Sequence, residues 1–387
     1  MNIYQIIRRT MFEHRKQRNA VIISFIFNGA LFGAWASRIP AFVEQFAITS
    51  QQLSMLLLCL AAGAITSFPV AGKITDSIGA ARLCIITFIG YTIVFMTLGL
   101  GNNLYALYFL VFLFGGFHGA MDVAMNTWAA QVESASDKTL MPFFHAMFSL
   151  GAGFGAASGA IASWSHTAIN LHFILFAASF LLLLIPLNNA VSSASTSKDI
   201  SSDKPAFKLP KGNLFIVALV AFCCALSEGA MADWTAIFMN QELDSSHGEA
   251  AAAYSFFAIA MFLTRLSGQY LIEQLGKITV VRASAVSSMI GLFFILLTDH
   301  IYLGYLGFSL IGIGCSIVMP LAFSKAADST LKNKGSAIAS VAIFAYGGML
   351  LGPVMIGFLA TMFSLKIAFL LFILLFMLMF SGAKSLR

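Results

Sequence analysis

The sequence predicts an all-α membrane protein of twelve transmembrane helices, arranged as two six-helix bundles with internal pseudo-symmetry. Three observations predict it. Of 387 residues, 59% are hydrophobic and only 10% charged, with a mean hydropathy of +0.88, whereas a soluble domain carries about 25% charged residues. Apolar runs of about twenty residues recur, each long enough to cross ~30 Å of hydrocarbon as a helix. The second half of the chain repeats features of the first at a nearly constant offset. Period-two alternation, the mark of a β-barrel, is absent.

The runs are centred near Gly29, Ala61, Gly90, Gly115, Gly153 and Phe176, then Leu226, Ile259, Met289, Gly312, Met349 and Leu374. Span 1 follows a basic stretch with Arg8, Arg9, Arg15, Lys16 and Arg18 against Glu13. It is too long for a signal-peptide core, so it is expected to stay as a span. Residues 190–211 interrupt the pattern. This stretch is Ser-rich, charged and weakly hydrophobic, so it reads as a flexible linker. It separates an N-terminal bundle, 1–189, from a C-terminal bundle, 212–387.

The repeat is carried by small and aromatic residues. Gly29-Ala30 and Trp35 of span 1 return as Gly229-Ala230 and Trp234 of span 7. Asp76-x-x-Gly79 returns as Glu273-x-x-Gly276, and Gly116 as Gly314. Ala146-x-Phe148-x-x-Gly151 of span 5 returns as Ala342-x-Phe344-x-x-Gly347 of span 11. The offsets lie between 196 and 200 and keep chain order. Duplicated six-helix units with a site between the halves, near the midplane, are a sign of secondary transporters. The series Gly151, Gly155, Gly159 and Gly348, Gly352, Pro353, Gly357 are small-residue faces that suit close helix packing.

The net charge of +6 is not a nucleic-acid signature here, because its distribution sets topology. If both termini are cytoplasmic, 20 of the 22 Lys and Arg fall in cytoplasmic segments, leaving Arg38 and Lys366. In that count the 265–282 region contributes Arg265, Lys277 and Arg282. The positive-inside rule then places both termini and the linker inside, as expected of a bacterial inner-membrane protein. Cys59, Cys84, Cys223, Cys224 and Cys315 all lie in apolar spans without a CxxC pair, which points away from disulfide or metal chemistry. No P-loop, HExxH, Rossmann or nucleophile-elbow motif is present. ATP-driven transport, embedded catalysis and a cofactor are therefore not expected.

Three acids interrupt the apolar spans: Asp122, Glu228 and Asp233. Arg38 joins them nearer an edge. An intramembrane carboxylate costs at least ~2.5 kcal/mol, so it is expected to face a cavity and to work there. Asp122 and Asn126 are one turn apart on one helical face, with His118 a turn before them. His118 and Asp122 either form a proton relay or His118 is a packing residue. The repeat acts as a control. Asp122 aligns with Pro320 and His145 with Val341, so both look added to the shared scaffold. Glu228 stands beside Gly229 and Ala230, which permit close helix approach. Trp35, Trp234, Tyr254 and Tyr346 line a cavity or anchor the interface, and Trp128 and Trp164 read as interfacial anchors.

The turn after span 2, Gly72-Lys-Ile-Thr-Asp76-Ser-Ile-Gly79-Ala-Ala-Arg82, resembles the G-x-L-a-D-r-x-G-r-r signature of the major facilitator superfamily. Its glycines allow a tight cytoplasmic turn, and Asp76 can cap a helix or pair across it. The string Gly119-Ala-Met-Asp122-Val-Ala-Met-Asn126 is similar to the acid-x-x-x-Asn segment of the fucose-permease branch. Trp35-Ala-Ser-Arg38-Ile-Pro40 and Phe144-His145-Ala resemble the YbjJ-type branch. Span 1 carries Asn28 and Arg38 where the fucose permease has an acid. The resemblance implies the family's fold, a monomer and alternating access of a small organic solute, coupled to protons. It implies Asp122 as proton site; Glu228, an acid deep in span 7, is expected as a second proton or substrate group. Asn28, Trp35, His118, Asn126, His145, Tyr254 and Tyr346 are the expected cavity contacts. Spans 1 and 7 face each other in that family, so Arg38 and Asp233 are the expected outer gate pair. A proton-driven exporter of drugs or metabolites shares all these features, and a non-transporting scaffold or sensor is the remaining alternative.

Overall fold

The computed structural model describes residues 3–136, 140–191, 209–327 and 334–387. Twelve helices among them are long and apolar enough to cross a membrane. They are α1 His14–Gln45, α2 Ser50–Ile78, α3 Ala80–Leu98, α4 Leu104–Ser134, α5 Met141–Trp164 and α6 Ile169–Val191. The second six are α7 Asn213–Glu242, α8 His247–Leu275, α9 Lys277–Leu297, α10 Ile301–Ala326, α11 Ser340–Met362 and α12 Leu365–Leu386. All twelve expected centres fall inside them in order. Most of the expected linker lies outside the described residues, as do Lys138 and Lys332 of the charge count. One entry in that count is corrected. Arg265 lies ten residues before the end of α8, inside the span and not in the loop after it.

The helix ends follow local chemistry. Thr49 and Gln52 form a capping box at the start of α2, and Ser246 and Glu249 form another at the start of α8. These boxes hold two orphan N–H groups each and are equivalent positions of the repeat. Gly79 and Gly276 end α2 and α8 with φ of +90° and +77°, the left-handed region where a side chain is strained. The turn signature works through Gly79 alone. Asp76, expected to cap or pair across the turn, makes no hydrogen bond or ion pair there among the described residues, and α3 has no side-chain cap.

Each bundle is built on one pair of tightly apposed helices, α1 with α5 and α7 with α11. A Cβ on Gly29 would lie 2.1 Å from Phe148 O, and one on Gly155 2.0 Å from Ala30 O. In the second half a Cβ on Gly229 would lie 2.2 Å from Met349 O, and one on Gly352 2.3 Å from Leu226 O. A second equivalent pair joins α2 to α4 through Gly115 on Leu60 O, and α8 to α10 through Gly312 on Phe257 O. In lipid, where apolar side chains gain little by leaving hydrocarbon, this backbone approach is the main source of helix association. Gly155→Val should therefore separate α1 from α5. The expected cost is about 1–3 kcal/mol or more, read as a lower thermal-aggregation midpoint of the purified protein.

The two bundles meet where α5 lies against α8 and α2 against α11, with α1 also touching α7 and α8. At the face opposite the chain termini they are closed against each other. The Trp164 indole covers Gly248, Ser54 of α2 sits on Gly357 of α11, and Glu44 lies 3.4 Å from His247. Deeper in, Ile259 of α8 packs on Gly153 of α5.

Candidate coupling site at the seam between the bundles

Asp122 sits midway along α4 on a partly exposed face, while Met121 and Met125 on the other face are buried in the N-terminal bundle. The Asn126 amide, one turn on, donates to Asp122 Oδ1 at 3.0 Å and to Asp122 O at 2.9 Å. Tyr346 of α11, in the opposite bundle, approaches the carboxylate across the seam. Tyr346 also meets Phe68 of α2 edge-on at 6.0 Å, and a Cβ on adjacent Gly347 would meet nothing within 4 Å. The partly exposed carboxylate thus faces the seam.

A second polar cluster lies on the C-terminal side. Glu228 of α7 accepts from Arg265 Nη2 with both oxygens, at 3.0 and 3.2 Å. The two side chains are 14% and 7% exposed. Arg265 Nη1 crosses to the N-terminal bundle, donating to Ser149 Oγ at 2.6 Å and to His145 O at 3.4 Å on α5. Its Nε donates to Ser316 O at 3.2 Å. That carbonyl lacks its helical partner because the residue four on is Pro320, which has no N–H, and α10 is broken there between Ile301–Cys315 and Val318–Ala327. Broken helices in a membrane leave backbone groups that buried side chains can satisfy. One guanidinium thereby ties α8 to α7, α10 and α5.

Arg265 was missed in the sequence because proximity to Lys277 and Arg282 made it look like loop charge. The capping box at Ser246 was the available signal. A helix starting there with a Gly276 end carries Arg265 about 15 Å short of that end.

The other expected site residues divide. His145, Asn126 and Tyr346 belong to these clusters, His145 by its carbonyl, while its ring packs edge-on against Phe25 at 5.4 Å. His118 is turned into the N-terminal bundle, with Nδ1 3.1 Å from the Tyr91 hydroxyl and its ring on Phe32. No hydrogen bond joins it to Asp122 among the described residues. Asn28 is fully buried against Met125 Sδ at 3.6 Å, and Trp35 is buried between Phe42 and Phe114. Tyr254 is buried, stacked with Phe257. These three are wall-internal residues here, because their helix faces point at neighbouring helices. Trp234 donates to Pro353 O at 2.9 Å, joining α7 to α11. Trp128, expected as an anchor, is wholly buried, whereas Trp164 is 56% exposed.

The expected gate pair is corrected. Arg38 is 4% exposed and donates from Nη1 to Ser163 Oγ at 2.7 Å and from Nη2 to Thr167 O at 2.8 Å. Those groups sit at the end of α5 in its own bundle, where terminal carbonyls attract a cation. Asp233 has no ion-pair partner among the described residues, although this face is closed.

Two pseudo-symmetric bundles with polar groups bridging their seam define a multi-pass transporter architecture of the alternating-access kind. The comparisons agree. The chain matches the Major Facilitator Superfamily over residues 20–330 and again over 217–383. It is 40% identical over 349 residues to an uncharacterised transporter, y4wD, of Sinorhizobium fredii, covering 90% of this chain and 92% of that one. It is 31% identical over 357 residues to an uncharacterised MFS-type transporter of Yersinia pestis, with 91% of each chain covered. It is 26% identical to the membrane protein MosC of Rhizobium meliloti, over 92% of this chain and 86% of that one. The solved nucleoside transporter NupG has the same fold, with a TM-score of 0.71 at 15% identity over 96% of this chain and 99% of that one. The chain belongs to the major facilitator superfamily and is a transporter, not an enzyme.

Proposed function

We propose that the protein is a proton-coupled secondary transporter of a small organic solute, working as a monomer in a bacterial inner membrane with both termini cytoplasmic. The observation that supports the coupling is Asp122 at the seam, bonded by Asn126 of its own helix and approached by Tyr346 of the opposite bundle. Adding a proton changes what the carboxyl can accept and donate, and hence how strongly it joins the bundles. A group whose state of protonation alters the contact between two rocking bodies biases their equilibrium. Arg265 sets the second inter-bundle contact, through Ser149. The polar groups of both clusters suit a solute with hydrogen-bonding groups.

Purified protein screened by thermal shift against metabolites should yield a class of polar solutes that stabilises it, since a ligand of the native state raises stability by mass action. In liposomes, a pH gradient should then drive that solute across the membrane. Solute movement indifferent to the gradient would overturn the coupling. The topology rests on charge asymmetry. A reporter fused after Ser195 should be active only if it folds in the cytoplasm, and activity confined to the periplasm would invert the orientation.

A further inference from the structure

Asp233 is an acid without a counter-charge among the described residues. It lies in α7, one and a half turns beyond Glu228 toward the closed face, and is 3% exposed. Its Oδ1 is buried with no hydrogen-bond partner. The groups around it offer none. On α8 the facing titratable residue is Tyr254, itself acidic. Glu228 on its own helix is engaged by Arg265. The α11 segment packed here, residues 349–357, contains no titratable residue, and its Pro353 carbonyl is taken by Trp234. On α1, Arg38 is committed to Ser163 and Thr167. Lys366 of α12 forms no ion pair with Asp233 among the described residues.

An ionised carboxylate in such a place carries an uncompensated desolvation cost of several kcal/mol, so the buried site accommodates the neutral acid. Opening this face would bring water to the end of α7 and remove that cost. We propose that Asp233 is a second proton-binding site, whose protonation is required for the face opposite the termini to close. The sign follows. Closure takes up a proton, so low pH favours the closed form and rising pH favours the open one. This reading rests on alternating access but not on Asp122, and it replaces an ion-pair gate with a proton-operated one.

The test uses purified full-length protein in detergent, so neither transport nor orientation enters. Ser54, which sits on Gly357 at the closed seam, is replaced by Cys, and Cys59, the one native thiol that is not buried, by Ser. Labelling by a hydrophilic maleimide is normalised at each pH to the SDS-unfolded protein. We expect labelling to rise at least about fivefold between about pH 5 and pH 8, as the open population grows. Asp233→Asn, a permanent stand-in for the neutral acid, should hold labelling at its low-pH value throughout. Asp122→Asn, which alters the other protonatable contact at the seam, should displace the rise along the pH axis without abolishing it, whereas Asp233→Asn removes it. Unchanged pH dependence in Asp233→Asn would overturn the proposal. If that variant does not fold, the infrared band of a protonated carboxyl decides the matter. Asp233→Glu should shift that band, and an Asp233→Glu spectrum identical to the parent's would overturn the proposal equally.

Discussion

Asp122→Asn should reduce proton-driven solute movement in liposomes about a hundredfold, the upper range of a single coupling interaction of 1–3 kcal/mol. The amide keeps the shape of the carboxyl and an oxygen for Asn126 to donate to, but it cannot bind and release a proton. Thermal stability should change by less than about 1 kcal/mol, since the acceptor for Asn126 is kept and only the contact with Tyr346 is altered. Exchange of labelled for unlabelled solute without a pH gradient should persist, because exchange needs the bundles to rock but no net proton movement. Tyr346→Phe removes the hydroxyl that approaches the acid across the seam while leaving the acid. It should alter how steeply transport depends on pH and not abolish it. Loss of exchange together with driven movement would mean that Asp122 holds the solute or the fold instead of coupling it.

The fold was legible because each of its determinants acts locally. Apolar runs of span length and the small-residue spacings that let α1 meet α5 and α7 meet α11 are properties of neighbouring residues, and the offset between halves is read by comparing two such local patterns. The site was only half legible, for a related reason. Asp122 and Asn126 share one helix and a four-residue spacing, so their bond could be read directly. Tyr346 could be named but not paired, since its partner comes from 224 positions earlier in the chain. Arg38 shows the limit. Its depth on α1 matched that of Asp233 on α7, but depth does not fix the direction of a side chain. The end of α5 supplied nearer acceptors in Ser163 Oγ and Thr167 O. Trp35 and Trp128 failed likewise, because hydropathy cannot distinguish a tryptophan facing a neighbouring helix from one facing a cavity or headgroups.

Breaking the Arg265–Glu228 pair should destabilise the protein unequally from its two ends. Removing one partner of a buried pair typically costs about 3–5 kcal/mol, because the survivor stays buried with its charge. Here the survivors differ. Without Glu228, Arg265 keeps Ser149 Oγ, His145 O and Ser316 O as acceptors. Without Arg265, Glu228 keeps no hydrogen-bond donor among the described residues. Arg265→Met should therefore reach the full loss of about 3–5 kcal/mol. Glu228→Gln, whose amide oxygen still accepts from the guanidinium, should cost closer to about 1–3 kcal/mol. Combining the two should cost less than the sum, with an interaction energy of at least about 1 kcal/mol in a double-mutant cycle. Ser149→Ala cuts the shorter of the two contacts by which the network crosses between bundles and leaves the one to His145 O. Its loss of about 1 kcal/mol should be accompanied by a shift in the pH-dependent labelling at Ser54→Cys, since it weakens an inter-bundle contact. Unfolding of the purified variants in graded SDS would measure all four. Equal losses from Arg265→Met and Glu228→Gln would show that the three non-carboxylate acceptors do not sustain the guanidinium, and that α5 is held to α8 by packing, as at Gly153 and Trp164.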